Sequence, residues 1–597
     1  MSTEQFLQQA IATTVAALYG QQAAESPLQI QTTRKEFKGD YTLVAFPLLR
    51  ASRKGPEQTC TEIGEHLAAN CPQVAEFNVV KGFLNITLAP SYWAGILTEM
   101  ANTPDFGFAQ AAPTDAPTVI EFSSPNTNKP LHLGHIRNNL LGESISRITE
   151  KSGKRVIRVN LVNDRGIHIC KSMVAWQRYG NGETPQSTGK KGDHLVGDYY
   201  VKFDQHYKTE IQELISQGKT EDEAKAQAPI MLEAQETLRR WEAKDAATID
   251  LWRTMNGWVL DGFDATYRAM DIKFDKTYFE SNTYLLGKSV VQQGLADDVF
   301  YRRDDGSVWI DLTSEGLDEK LLLRADGTSV YMTQDIGTAI ERQRELQFAH
   351  HIYVVGNEQE YHFQVLKLVM KRLGYAWSDQ LYHLSYGMVN LPEGKMKSRE
   401  GTVVDADDLI EEMVSTAAQM AQELGKVDAN NPEANAQVSR MVGMGALKYF
   451  ILKVNPKSGM TFNPKESIDF NGNTGPFIQY THARICSVLE RAHAQGLHTN
   501  SQLPEHCPIA DKELELIQLL HRFPETVQQA AQNHNPALVA NYAYDLAKEY
   551  NQFYHDHSIL KETNASIQQL RLVLSEQVGL VIRRALWLLG IEAPEKM

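Results

Sequence analysis

Val119 to Phe122 is apolar apart from Glu121 and reads as a short buried strand. Pro125 and Pro130 break any regular element that follows it. From Ile136 onward, Leu140, Leu141, Ile145 and Ile148 recur close to a 3.6-residue period, so this stretch predicts a helix with one buried face. The same succession returns downstream, where Val156 to Val159 and Ile352 to Val355 are β-rich runs, each followed by a helical pattern. From Thr118 to about Val404 the chain therefore predicts an α/β domain built on a doubly wound parallel sheet. Ligands of such a sheet lie beyond the carboxyl ends of its strands. Roughly residues 171 to 271 are mostly helical, charged and aromatic, and read as an insertion between the two halves of the sheet. Leu323 to Tyr331 predicts a hairpin with Asp326-Gly327 as its turn.

The flanks differ from this middle part. Residues 1 to 112 mix helical stretches with strands at Asp40 to Leu48 and Asn78 to Leu88, a small α+β domain. Thr103 to Thr118, rich in Pro and Ala, marks a linker. After Asp405 apolar periodicity is helical in six stretches: Leu409 to Leu424, Val438 to Leu452, Tyr480 to Ala494, Lys512 to Phe523, Pro536 to Tyr554 and Ser566 to Leu589. The expected division is thus 1–112, 113–405 and 406–597. In Tyr542 to Tyr554 most of the aromatic side chains are expected in the core, with one or two left to stack on unpaired bases.

The loop between the first strand and helix carries His132-Leu133-Gly134-His135, at or near a helix N-terminus. Free N–H groups and the helix dipole favour phosphate there, and Gly134 lets a flat ring approach the backbone. A bare tetrapeptide of this kind is more often a pair of surface or capping residues. About 260 residues downstream lies a second motif, the glycine-bounded basic stretch Gly394-Lys395-Met396-Lys397-Ser398-Arg399-Glu400-Gly401, suited to a polyphosphate.

Bulk properties narrow the class. A chain of 597 residues argues for several domains. No apolar run reaches the ~18 residues of a membrane span, and the N-terminus lacks the regions of a signal peptide. Cys60, Cys71, Cys170, Cys486 and Cys507 are few and unpatterned, which predicts a cytoplasmic protein without a tightly bound metal. The net charge of −15 is neutral evidence, since phosphate contacts need a local basic stripe rather than a basic protein.

In their order, the two motifs resemble the paired signatures of class I aminoacyl-tRNA synthetases. Three further stretches narrow the resemblance to the arginyl-tRNA synthetases: Glu121-Phe122-Ser123-Ser124-Pro125-Asn126, Val162-Asn163-Asp164-Arg165-Gly166, and Thr474-Gly475-Pro476-Phe477-Ile478-Gln479-Tyr480-Thr481-His482-Ala483-Arg484. The closing Leu589 to Met597 also resembles that family's C-terminus. The resemblance implies a Rossmann-like catalytic domain, an N-terminal domain that contacts tRNA and a helical anticodon-binding domain. It implies ligation of arginine to tRNA(Arg) at the expense of ATP with Mg²⁺, by a monomer that uses no membrane. His132, His135, Lys395 and Lys129 are then the catalytic candidates. His132, Gly134, His135, His362, Met388, Lys395 and Ser398 fall to ATP, and Glu121, Asn126, Tyr331, Asp335 and Gln359 to arginine. Asp335 suits the guanidinium and Glu121 the ammonium, though the two are interchangeable at this stage. The basic stretch departs from the family pattern at Ser398, where a second lysine is usual; Lys129 or Lys397 would replace it, and Lys129 is favoured because it lies on the phosphate loop. Glu121, alone in an apolar strand, needs a cationic partner. Two rival readings are a class I synthetase for another amino acid and an RNA-binding protein that kept the fold without the chemistry. Paired Glu121 and Asp335 speak against the first, and intact His132, His135 and Lys395 against the second.

Overall fold

The structure is a computed structural model, and it describes residues 3–34, 36–390, 404–423, 425, 430–503 and 507–597. Its centre is a five-stranded, wholly parallel sheet. In chain order the elements that matter for the site are β1 (Thr118–Glu121), α1 (Leu133–Lys151), β2 (Val156–Val162), α2 (Gly192–Ser216), α3 (Ala246–Met270), β3 (Lys276–Phe279), α4 (Tyr331–Leu346), β4 (His350–Gly356), α5 (Glu360–Arg372) and β5 (Leu381–Tyr386). The strand order is β5-β4-β1-β2-β3, so the chain winds outward one way from β1 and then the other. Thr118 of β1 is level with Val156 of β2 and with His350 of β4, and the switch point falls between β1 and β4.

One face of the sheet buries Val119, Val159, Ile336, Tyr353 and Val365 in a common core. Helix α1 crowds Phe122 at the end of β1, where a Cβ on Gly142 would stand 2.2 Å from the Phe122 ring. The insertion between β2 and β3 is helical, as expected, with α2, α3 and two further helices, Ile167–Tyr179 and Pro229–Glu242, packed round Val174, Leu195, Tyr199, Phe203 and Ile230. The Asp326-Gly327 turn forms, but the predicted hairpin shrinks to a single bridge, Leu323 to Ser329, before α4 begins.

Compactness groups the chain differently from its linear order. One unit is Met1–Phe106 with Ile485–Phe523 and Leu546–Val581; the other is Gly107–Arg484 with Pro524–Asp545 and Ile582–Met597. The first unit holds a four-stranded antiparallel sheet with strands in the order Gln29–Thr32, Tyr41–Val44, Phe83–Leu88 and Val74–Val80. Two strand expectations need correction here. Asp40 to Leu48 is a strand only over Tyr41–Val44, because Pro47, which has no N–H for a ladder, sits in a 3₁₀ turn over Phe46–Leu48. Asn78 to Leu88 is a hairpin rather than one strand, folded at Lys81-Gly82, whose φ angles of 50° and 81° are those of a tight two-residue turn. The C-terminal third is helical over Ala406–Glu423, Pro432–Leu452, Gly475–Ala494, Asp511–His521, Ala537–Asp556 and Ala565–Leu588, with Phe523–Gln532 as a helix the periodicity did not single out. Among its aromatics Tyr542, Tyr550 and Phe553 are buried, while Tyr544 and Tyr554 are partly exposed.

Candidate active site

The site is built on a turn that L-amino acids rarely adopt. Directly after β1, Ser123 and Ser124 have φ angles of 77° and 47°. Such backbone persists only where neighbours over-determine it. Here Asn138 of α1 accepts the Ser123 N–H at 2.6 Å, Asn160 of β2 accepts the Ser124 N–H at 2.9 Å, and the Tyr267 hydroxyl of α3 bonds Ser123 Oγ at 2.7 Å. Asn138 also donates to Val354 O at 2.8 Å and so ties the same turn to β4.

The chain then runs to His132, which caps α1. Gly134 N–H donates to His132 Nδ1 at 3.1 Å, and His132 N–H donates to His135 Nδ1 at 3.1 Å. An imidazole that accepts at Nδ1 carries its proton on Nε2. Both rings are therefore Nε2–H donors, with centroids 3.9 Å apart. Burial, with Lys129 nearby, brings His132 down to about 4; burial and the neighbouring His132 and Lys129 hold His135 well below the usual histidine range. Burial also lowers Lys129. The local picture refines the expectation of free backbone donors. Leu133 N–H is given to Val404 O and Gly134 N–H to the His132 ring, so these first backbone donors of α1 are already engaged within the chain. Arg137, fully buried, donates to Pro456 O, Ser458 O and Met388 O and fixes that part of the cleft; Met388 itself is 46% exposed. Lys395, Lys397 and Ser398 lie outside the described residues.

The carboxyl ends of the other strands contribute the second half. Asp335, one turn into α4, is 2.6 Å from His362 Nε2 in the first turn of α5. His362, expected on the nucleotide side, is thus joined to Asp335. Tyr331 opens α4 and is 75% exposed; Gln359 follows β4 and Asn126 follows the strained turn, both exposed. Glu121 is buried and has the cationic partner it needs within the chain: Arg342 of α4 donates to its Oε2, and Ser124 Oγ donates to Oε1 at 3.3 Å. Burial works against the Arg342 guanidinium, and Glu121 beside it more than restores its charge. The sequence did not single out one further carboxylate, Glu280, whose charge Asp335 is near enough to affect. Glu280 follows β3 directly, and burial pushes its carboxyl up to about 7; Arg165 opposes the push, while Asp164 and Asp335 add to it. Its segment is fixed by Asp164, which accepts Ser281 N–H at 2.8 Å and Ser281 Oγ at 2.7 Å. Arg165 stacks over Tyr284 at 3.9 Å. The only signal for Glu280 in the sequence is its place just past a strand.

The chain matches known proteins along its whole length. Residues 103–463 match the family model for the class I (R) tRNA synthetase catalytic domain, 478–597 the DALR anticodon binding domain, and 5–88 the arginyl tRNA synthetase N-terminal domain. The arginine–tRNA ligase of Bacteroides thetaiotaomicron is 58% identical over the full length of both chains, and that of Flavobacterium psychrophilum is 53% identical over the full length of both. The arginyl-tRNA synthetase of Thermus thermophilus superposes with a TM-score of 0.77 at 25% identity, with all of each chain covered. No helix among the described residues is long and apolar enough to cross a membrane. The chain belongs to the arginyl-tRNA synthetase family of class I aminoacyl-tRNA synthetases.

Proposed function

We propose that this chain activates arginine with ATP at the carboxyl edge of its parallel sheet and then transfers the arginyl group to the 3′-terminal adenosine of tRNA(Arg). In the first step an oxygen of the arginine carboxylate attacks the α-phosphorus in line. The new P–O bond forms as the bond to pyrophosphate breaks, giving arginyl-adenylate. The carboxylate is already ionised at neutral pH, so the protein contributes positioning and charge neutralisation rather than a base. In the second step a ribose hydroxyl of the terminal adenosine attacks the adenylate carbonyl and AMP leaves.

His132 and His135 donate Nε2–H to phosphoryl oxygens, and Lys129 supplies a positive charge on the same turn. Gly134, His362 and Met388 are assigned to the nucleotide, and Lys395 and Ser398 to the leaving pyrophosphate; Mg²⁺ arrives with ATP as part of the substrate. Asp335 and Glu280 face the guanidinium, whose planar fork of five donors suits two carboxylates. Glu121 offers Oε1 to the ammonium while Arg342 holds Oε2, and Tyr331, Asn126 and Gln359 bond the rest of the amino acid. Residues 1–112 contact tRNA and residues 406–597 its anticodon, a reading supported by the match to an anticodon-binding family model. The active form is a cytoplasmic monomer.

The observation that carries the reading is the pair of neutral imidazoles, both Nε2–H donors, beside Lys129 at the positive end of α1. Aminoacylation of total tRNA with each of the twenty amino acids tests it. Arginine alone should be charged, and His132→Ala should slow arginine-dependent ATP–pyrophosphate exchange, measured with tRNA present, by about 10²–10³-fold. Charging of a different amino acid, or an undiminished His132→Ala, would overturn the reading.

A further inference from the structure

The helical insertion reaches the histidine loop in two ways, once through Asp407 and once directly at Pro130. The first is ionic. Asp407 accepts from Lys191 Nζ at 2.5 Å, from His194 Nε2 at 3.0 Å and, through its other oxygen, from Thr266 Oγ1 at 2.9 Å. Lys191 precedes α2, His194 lies in its first turn, and Thr266 belongs to α3. Burial pushes the Asp407 carboxyl up, yet the hydrogen bonds from His194 and Lys191 outweigh it and bring it down to about 2. Asp193 and Asp405 complete the cluster: Lys191 Nζ is 3.1 Å from Asp193 and His194 Nε2 is 3.5 Å from Asp405. The Lys191 ammonium and His194, whose imidazole the Asp407 hydrogen bond and the surrounding carboxylates shift toward its charged form, together face the three carboxylates of this group.

Asp407 ends a strut laid along the histidine loop. Leu133 N–H donates to Val404 O at 3.1 Å, Ala406 N–H donates to Leu131 O at 3.0 Å, and His132 and Asp405 pair as an antiparallel bridge between them. The second contact is steric. Gly197 of α2 lies against Pro130, so that a Cβ there would stand 2.9 Å from Pro130 Cδ and 3.6 Å from Lys129 Cα.

We propose that Asp407 is a positioning residue for the activation step: by gathering Lys191, His194 and Thr266 of the insertion, it clamps the strut Val404–Ala406 and with it the placement of His132. The proposal rests on the reading of His132 as a phosphate ligand. Asp407→Asn keeps the shape and removes the charge that collects the insertion. Gly197→Ala leaves that network intact and presses on Pro130 from the other side.

Both full-length variants are assayed by arginine-dependent ATP–pyrophosphate exchange with tRNA present, beside His132→Ala, with separate titrations of ATP and arginine and a thermal melt. Displacing a phosphate ligand by a fraction of an ångström should weaken kcat/KM for ATP roughly tenfold to hundredfold. The arginine KM should stay within about twofold, whatever the change in melting temperature. If His132→Ala is crippled while both clamp variants exchange at the wild-type rate, the clamp is wrong and the active-site reading stands. An undiminished His132→Ala removes both. Parallel losses for ATP and arginine together with a lowered melting temperature would mark Asp407 as merely structural and overturn the proposal. If Asp407→Asn does not fold, Lys191→Met, which removes the same ion pair from the insertion side, takes its place and is read by the same outcomes.

Discussion

A carboxyl group poised near neutrality turns a small change of pH into a change of affinity, and Glu280 is such a group. Burial raises it to about 7, so below that pH the free enzyme holds it increasingly in the neutral form. A guanidinium stays charged throughout this range and favours the carboxylate. On the proposed placement of Glu280 against the guanidinium, arginine binding releases its proton, and arginine KM should rise as pH falls through about 7. In Glu280→Gln the KM should be higher at every pH and lose this slope. A KM titration from about pH 6 to pH 8 checks it, and a wild-type KM independent of pH would remove Glu280 from the pocket. The same experiment reads the histidines. With His132 held near 4 and His135 also far below its usual range, neither changes charge in that interval, so neither should bend the ATP profile.

At the scale of elements, helix α1 and strand β1 meet without slack. Gly142 admits Phe122 where no larger residue fits, so Gly142→Ala must displace the ring or the helix. Overpacking of this kind costs about 1–3 kcal/mol, and a thermal melt of the variant should show a lowered midpoint. An unchanged midpoint would mean that the helix yields freely. This junction also shows what the sequence could disclose. Strand β1, helix α1 and the loop between them were legible because an apolar run, two prolines and a 3.6-residue period are local signals. The start of α1 at Leu133 rather than Ile136 was not, because the cap is an exchange of bonds between two imidazoles and the backbone. Glu121 was legible as a charge in need of a partner, but Arg342, 221 residues away, could not be found before the fold placed α4 beside β1. Glu280 was hidden for the same reason, since only the sheet order brings the end of β3 to face α4. The site's backbone was thus readable from local pattern, and its pairings only from topology.

At the scale of the whole molecule, the unit containing Met1–Phe106 also contains Ile485–Phe523 and Leu546–Val581. Trp93 of the helix Pro90–Ala101 is 1% exposed and meets the His521 ring edge-on at 6.2 Å, and Asp40 accepts from Gln518 at 2.6 Å. Removing residues 1–106 should therefore bare the apolar face of the helix Asp511–His521. We expect the truncated protein to bind a hydrophobic dye more strongly and to unfold less cooperatively than the full chain; identical dye binding would show that this face needs no partner. The same arrangement has a consequence in time. A ribosome emits Trp93 several hundred residues before His521, at about 5–20 residues per second, so tens of seconds separate the two. During that interval the catalytic sheet can complete itself, whereas the first-made segment waits with one side unfinished. The last part of the message is what closes the first part of the protein, and a truncated or stalled translation product would be recognisable to a chaperone or protease by that open side.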